Sequence, residues 1–247
     1  MKEKKHTVNP SRHSIVFHQE NSLQLSLETD RLIIQSIKNG HKKACHALFA
    51  DPITMEKFGT GQPFDHQKTK TRLKLWLNAW QSHDPFSGYA IHLKNDAKTF
   101  IGVIVLEHSR PGEAEVSYVL DRHFWGKGYG SEATDAIFQS LIPRIMLRGY
   151  SVENRSLDRL VATARLDNPA SQKVLKGVGF KEEKVVHKFG AWRQSYGLPA
   201  KQIRNDYHHF FDKKDKRLYR EEEWLRLKND STALELATSA FGTAFRK

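Results

Sequence analysis

The chain has 247 residues, a hydrophobic fraction of 38% with 14 Phe and 5 Trp, and a formal net charge of +12. That size and apolar content supply one sizeable core with extensions and exclude wholesale disorder, and no run approaches the ~18 apolar residues that span a bilayer. No apolar segment follows the basic start at Met1 to Lys5, so no secretory signal is read, and the single cysteine, Cys45, cannot pair internally; both readings suit the cytoplasm.

Residues 1–26 are polar and basic, with Ile15, Val16 and Phe17 as their only apolar cluster, and read as an N-terminal arm. A helix is predicted over 38–50 with Ala44, Cys45, Ala47 and Leu48 on one face, stopped by Asp51-Pro52. After loop residues Gly59 to Phe64, Asp65 caps a helix in which Leu73, Trp76, Leu77 and Trp80 recur at helical spacing; that stripe reads as core packing. Strands follow at 88–93 and 100–106, joined by a turn near 94–98, and Gly102 inside the second marks a bulge or a close backbone approach. Residues 113–120 alternate like a half-buried strand, and beyond a glycine-rich loop Ala133, Ile137 and Leu141 give a helix that Pro143 ends or kinks. The long connection 144–158 leaves helix boundaries open. A strand at 160–164 then leads to a helix with Asn168 at its N-cap, Pro169 at its first position and Gly177 at its close. Another strand spans 180–186. The last strand comes either from 192–196 or from 206–211, with the second preferred, and 219–227 and 232–240 are two candidate helices beyond it.

The stretch Phe124 to Ala133 organises the rest, because its glycines at 126, 128 and 130 run straight into a helix. Glycines let an anion approach the backbone, and the unpaired N–H groups of a first helical turn point at it with the positive end of the helix dipole. A ligand carrying phosphate is expected. Neither the G-x-G-x-x-G spacing of a dinucleotide site nor the Lys-Ser/Thr ending of a P-loop is present.

Three motifs in order carry a resemblance: Ala114 to Leu120; Trp125-Gly126-Lys127-Gly128-Tyr129-Gly130-Ser131-Glu132-Ala133; and Asn168-Pro169-Ala170-Ser171 closing with Gly179-Phe180. Together they resemble the GNAT N-acetyltransferases, most closely the subgroup that contains the ribosomal-protein N-terminal acetyltransferases. Trp125 stands where many members of the wider superfamily carry Gln or Arg, and is usual in that subgroup. The resemblance implies a mixed α/β fold with a central, twisted, mostly antiparallel sheet flanked by helices. Leu27 to Ile34 resembles the family's first strand through its Thr29-x-Arg31-Leu32 signature, so the acetyltransferase domain is placed at 27–212, after the arm at 1–26 and before a helical C-terminal extension at 213–247.

The same resemblance implies acetyl-CoA as co-substrate, while no metal is expected from the spacing of the histidines. It assigns the diphosphate to the loop Trp125, Gly126, Lys127, Gly128, Tyr129, Gly130 and Ser131, held by N–H groups from Lys127 onward, with Lys127 adding charge. The pantetheine arm then lies as an added strand against the main chain of Val119 and Leu120, facing the strand at 160–164, with Asn168 reaching it. Attack on a thioester needs an unprotonated amine, and a Lys-type amine titrates near ~10.4 and an α-amine near ~8. Glu115 is the candidate base, on one face with Ser117 and Val119; an ion-paired surface glutamate is the bland alternative, and Glu113 is less favoured. The coenzyme-side helix has no Tyr, so Ser171 is assigned as general acid or thiolate stabiliser by resemblance, against the plainer role of bonding local backbone. Cys45 sits in a predicted helix with no identified base, which disfavours a covalent route. Among 13 histidines, His41 and His46 are spaced wrongly for one helical face and His208-His209 point to opposite faces of a strand, so neither pair is a chelate.

Function therefore reads as acetyl transfer to a primary amine by direct attack in a ternary complex, with a protein N-terminal α-amine as acceptor. The alternatives are a small amine such as a polyamine, amino acid or antibiotic, and a non-catalytic module that binds ribosome or nucleic acid. The charge of +12 disfavours polycationic aminoglycosides as acceptors unless a local acidic pocket overrides the field, and is compatible with an acidic partner, although no basic block interleaved with aromatics marks a single-strand binder.

Overall fold

In the computed structural model, which describes residues 13–19, 21–200 and 202–203, period-two alternation governs the early chain. Leu23, Leu25 and Leu27 are buried while the residues between them are not, and the segment forms β2 (Leu23–Glu28), paired antiparallel with β1 (Ser14–Gln19). Two strands thus occupy part of the expected arm, because the Leu-x-Leu-x-Leu pattern buries one face against the core. Next come β3 (Leu32–Ser36), α1 (Lys42–Ala50), the single turn α2 (Pro52–Met55) and α3 (His66–Gln81). In α1 the buried side chains are Cys45, Leu48 and Phe49, and Ala47 faces solvent. Asp65 caps α3 by accepting from the Lys68 N–H at 2.7 Å.

The stripe on α3 packs as expected. Trp76 lies against Gly88 so closely that a Cβ there would collide with the indole, and the Trp80 indole N–H donates to the Gly88 carbonyl at 3.0 Å. Gly88 opens β4 (Gly88–Leu93), which leads to β5 (Phe100–Arg110) and β6 (Glu113–Leu120). The β4–β5 register slips between Ile91 and His92, so the expected bulge lies beside Gly102.

Helix α4 (Tyr129–Ala136) runs through a π-helical turn at Ile137–Leu141 into α5 (Ile142–Leu147). Pro143 lacks the N–H that would bond one turn back, and the wide turn before it lets the helix continue where a stop or kink is expected. The long connection folds into a small hairpin, β7 (Ser151–Val152) and β8 (Arg155–Ser156), whose turn residues Glu153 and Asn154 both have positive φ. Then come β9 (Arg159–Arg165), α6 (Pro169–Gly177), β10 (Lys181–Lys188) and β11 (Ala191–Pro199). Of the two candidates for the last strand, 192–196 lies in β11; the preferred 206–211 and both helices of the extension lie outside the described residues.

The large sheet has the order β1-β2-β3-β4-β5-β6-β9-β11-β10, antiparallel except where β6 meets β9. That parallel pairing covers only Glu113 to Glu115 against Arg159 to Val161. Beyond it β6 stays paired with β5 as far as Leu120, and β9 with β11 as far as Arg165. The two strands therefore part like a fork at the centre of the sheet. Alternation sends Glu115 and Ser117 to the face carrying α3, and Tyr118 to the face carrying α4 and α6.

Candidate functional site

The glycine loop stands at the mouth of that fork. Gly126 and Gly128 have φ of 72° and 80°, a region that costs an L-residue about 1–2 kcal/mol, and Gly128 is the N-cap of α4. Helix α4 makes its first bond from the Glu132 N–H to the Gly128 carbonyl at 3.1 Å. Among the described residues, the N–H groups of Gly126 to Ser131 donate to no protein acceptor, and residues 125–128 are exposed. A cluster of free amides at a helix N-terminus can hold a diphosphate.

Three neighbours fix the loop. Glu132 accepts from the Thr29 hydroxyl at 2.6 Å, from the Arg31 backbone N–H at 2.9 Å and from the Arg31 guanidinium at 2.6 Å. Burial opposes its ionisation, yet these donors outweigh it and hold the carboxyl below its ordinary range. Arg31 also donates to the Lys127 carbonyl at 3.0 Å and lies over the Tyr129 ring at 4.6 Å. The Trp125 indole N–H donates to the Leu120 carbonyl at 2.7 Å, so this side chain laces the loop to the end of β6. The Lys127 ammonium is turned back on the His123 carbonyl at 3.0 Å and over the Phe124 ring.

Within the fork, main-chain direction separates two neighbours. The Val119 carbonyl abuts Gly102 of β5, and Asp121 donates to the Ile101 carbonyl on the same edge. Tyr118 and Leu120 therefore offer their main chain to the open edge, whereas the main chain of Val119 is turned away from it. Across the fork, the Asn168 side-chain oxygen accepts from the Ser171 N–H at 3.1 Å and caps α6, with Pro169 at the first helical position. Tyr118 projects toward the first turn of α4, where a Cβ on Gly130 would lie 3.3 Å from its ring. Burial pushes the phenol above its ordinary range and keeps it neutral.

On the opposite face, Glu115 receives the Lys188 ammonium on both oxygens, at 3.2 and 3.0 Å. Directly across the strand pair stands Glu107, which accepts from Arg72 at 2.5 Å and from the Trp76 indole at 3.2 Å. Together with Phe49, Phe58, Phe64, Val105 and Ser117, these residues enclose a cavity of about 30 Å³. Beyond Glu115, the buried Arg193 donates to the Gly59 carbonyl, and Lys57 pairs with Asp167 at 2.8 Å. Cys45 is buried and its thiol is pushed up to about 12, so it supplies no thiolate.

Residues 31–181, more than half of the chain, match the acetyltransferase (GNAT) domain family. The chain belongs to the GNAT acetyltransferases. An uncharacterised N-acetyltransferase, p20 of Bacillus licheniformis, is 33% identical over 166 residues, covering 66% of this chain and 86% of its own. Two solved acetyltransferases share the fold. One, from Salmonella typhimurium, modifies the N-terminal serine of ribosomal protein L7/L12; it is 21% identical, with a TM-score of 0.54 over 69% of this chain and 96% of its own. The other is the Vibrio cholerae spermidine N-acetyltransferase with CoA and spermine, 18% identical, with a TM-score of 0.53 over 70% of this chain and 98% of its own.

As a GNAT enzyme the chain is an acyltransferase, and the structure brings the expected residues around one fork: the loop at its mouth, Leu120 on its edge, Asn168 and Ser171 below it, Glu115 at its apex. Sequence reasoning missed four contributors. Thr29 and Arg31 were legible only as a motif, and their partner Glu132 lies about a hundred residues along the chain. Glu107 sits at a strand end that the prediction cut short at 106. Tyr118 was assigned to a face and given no task.

Proposed function

We propose that this acetyltransferase moves acetyl from acetyl-CoA to a protein N-terminal α-amine by direct attack in a ternary complex. The diphosphate sits on the free amides of Gly126 to Ser131, the pantetheine arm lies along the open edge at Tyr118 and Leu120 with Asn168 opposite, and Val119 contributes through its side chain. Glu115 takes the amine proton, directly or through water, from the face opposite Ser171, and Ser171 stabilises the departing thiolate.

One observation carries the choice of acceptor: both carboxylates facing the acceptor side already hold a protein cation, Lys188 on Glu115 and Arg72 on Glu107. A polyamine would meet these cations with no free carboxylate to balance its remaining charges. A peptide brings a single amine, and an α-amine loses its proton near ~8, well below a polyamine-like amine near ~10.4. The test is steady-state CoA release with a panel of N-terminal peptides against spermidine and single amino acids. We expect peptides to be preferred by at least tenfold in kcat/KM; faster turnover of spermidine would replace this reading with the polyamine one.

A further inference from the structure

Helix α3 borders a groove that neither its packing stripe nor the coenzyme loop uses. The groove holds about 460 Å³ along the outer face of the helix, where Lys68, Arg72 and Leu75 follow one another at helical spacing. Leu75, a large apolar side chain, is 58% exposed on its wall. Phe64 and Arg72 line both this groove and the small cavity that ends at Ser117 and Glu107, and Glu107 stands directly opposite Glu115 in the strand pair. The groove therefore abuts the place where the acceptor amine meets its base. We propose that it seats the acceptor polypeptide beyond its first residue, and that Lys68 and Arg72 select acidic side chains there. The inference rests on the protein N-terminal reading and deepens it, from any peptide to one with acid close behind its amine.

Charge decides the occupant. Helix α3 carries Lys68, Lys70, Arg72 and Lys74 and no Asp or Glu. The Lys68 ammonium lies 4.1 Å from the centre of the Phe64 ring and has no carboxylate partner among the described residues. Arg72 gives its Nη1 to Glu107, and its other nitrogens donate to no protein group among the described residues. Asp65, the carboxylate on the rim, is committed to capping α3, accepting from the Lys68 backbone N–H at 2.7 Å. A second copy of this chain would bring a further net charge of +12 to the same cations, so the complementarity favours an acidic peptide. The spacing fits as well. Lys68 and Arg72 are one turn apart, roughly 6 Å along the helix axis, and alternate side chains of an extended peptide repeat at roughly 6.6 Å. Two acids separated by one residue can thus meet the two cations in turn, while Leu75 and the Phe64 ring offer apolar contact to the chain between them.

The test is steady-state CoA release with three N-terminal peptides, identical except that the third and fifth residues are Asp, Ser or Lys, using wild type, Lys68→Glu and Lys70→Glu. Lys68→Glu should fold, because a carboxylate in the first turn of a helix suits the helix dipole. Lys70 projects roughly 200° around the helix from Lys68 and does not line the groove, so its variant controls for overall charge. Wild type should favour the Asp peptide over the Lys peptide about tenfold in kcat/KM, mainly through KM, and by about threefold or less once salt is raised from about 0.05 M to about 0.5 M. Lys68→Glu should level or reverse that preference, and Lys70→Glu should keep it within twofold. A wild type that turns over the three peptides alike overturns the proposal, as does a preference that Lys68→Glu leaves unchanged or that both variants lose equally. A Lys68→Glu chain with altered sedimentation and untouched selectivity gives the groove to a second copy and overturns it too. In each of these cases acetylation of protein N-termini stands; spermidine turned over faster than every peptide removes that reading, and this proposal with it.

Discussion

Glu115 joins two readings that the sequence holds apart, a base and an ion-paired glutamate. The structure makes it ion-paired, with Lys188 arriving from the far edge of the sheet, and the pairing leaves it beside Ser117 at the apex of the fork. The ion pair leaves a carboxylate at that point, which is compatible with the proposed role of Glu115 in taking the amine proton. Glu115→Gln should lower kcat by about 10²- to 10⁴-fold, the usual span for a lost general base, with CoA affinity unchanged within twofold. A Gln variant with wild-type kcat would return Glu115 to a structural role. Lys188 could not be foreseen, since it stands 73 positions from Glu115 and only the turn at Phe189 and Gly190 brings it back. The placing of 192–196 has the same root: what puts this segment in β11 is its pairing with both β9 and β10, which no local pattern shows.

At the scale of elements, the loop depends on the strand that opens the domain as much as on its own glycines. The clasp of Thr29 and Arg31 on Glu132 ties β3 to the first turn of α4, and it requires Glu132 to be ionised. The folded carboxyl is depressed below its ordinary value of 4.5, so the clasp stabilises the fold fully above about pH 4.5 and is lost as pH falls through the lower folded value. Urea unfolding should show wild type more stable than Glu132→Gln by about 1–2 kcal/mol near pH 6, a figure kept low because Arg31 is half exposed, with the gap closing as the pH is lowered below about 4.5. A gap that is constant from pH 6 to pH 3 would refute the linkage. The motif Thr-x-Arg-Leu was visible from the start, but its use was not, because a motif carries no information about a partner in another element.

For the molecule as a whole, the decisive feature is a sheet that divides. Binding at the fork should couple the two halves, so CoA at a hundredfold excess over its dissociation constant is expected to stabilise the fold by about 2.7 kcal/mol and raise Tm by roughly 5–11 °C. Gly128→Glu, which puts a side chain at φ 80° and a negative charge against the diphosphate, should abolish that shift in a thermal melt while the protein remains folded. An equal shift in the variant would move the coenzyme away from this loop. The family, the strand-loop-helix unit, the α3 stripe and the capped α6 were all legible in the chain itself, because caps, glycines and apolar periodicity act over a few residues and leave a local mark. The fork, the cations that occupy Glu115 and Glu107, the direction of the Val119 main chain and the meeting of Tyr118 with Gly130 were settled only by tertiary structure, since each depends on which strand lies beside which, and pairing across long stretches of chain is fixed by the closing of the core.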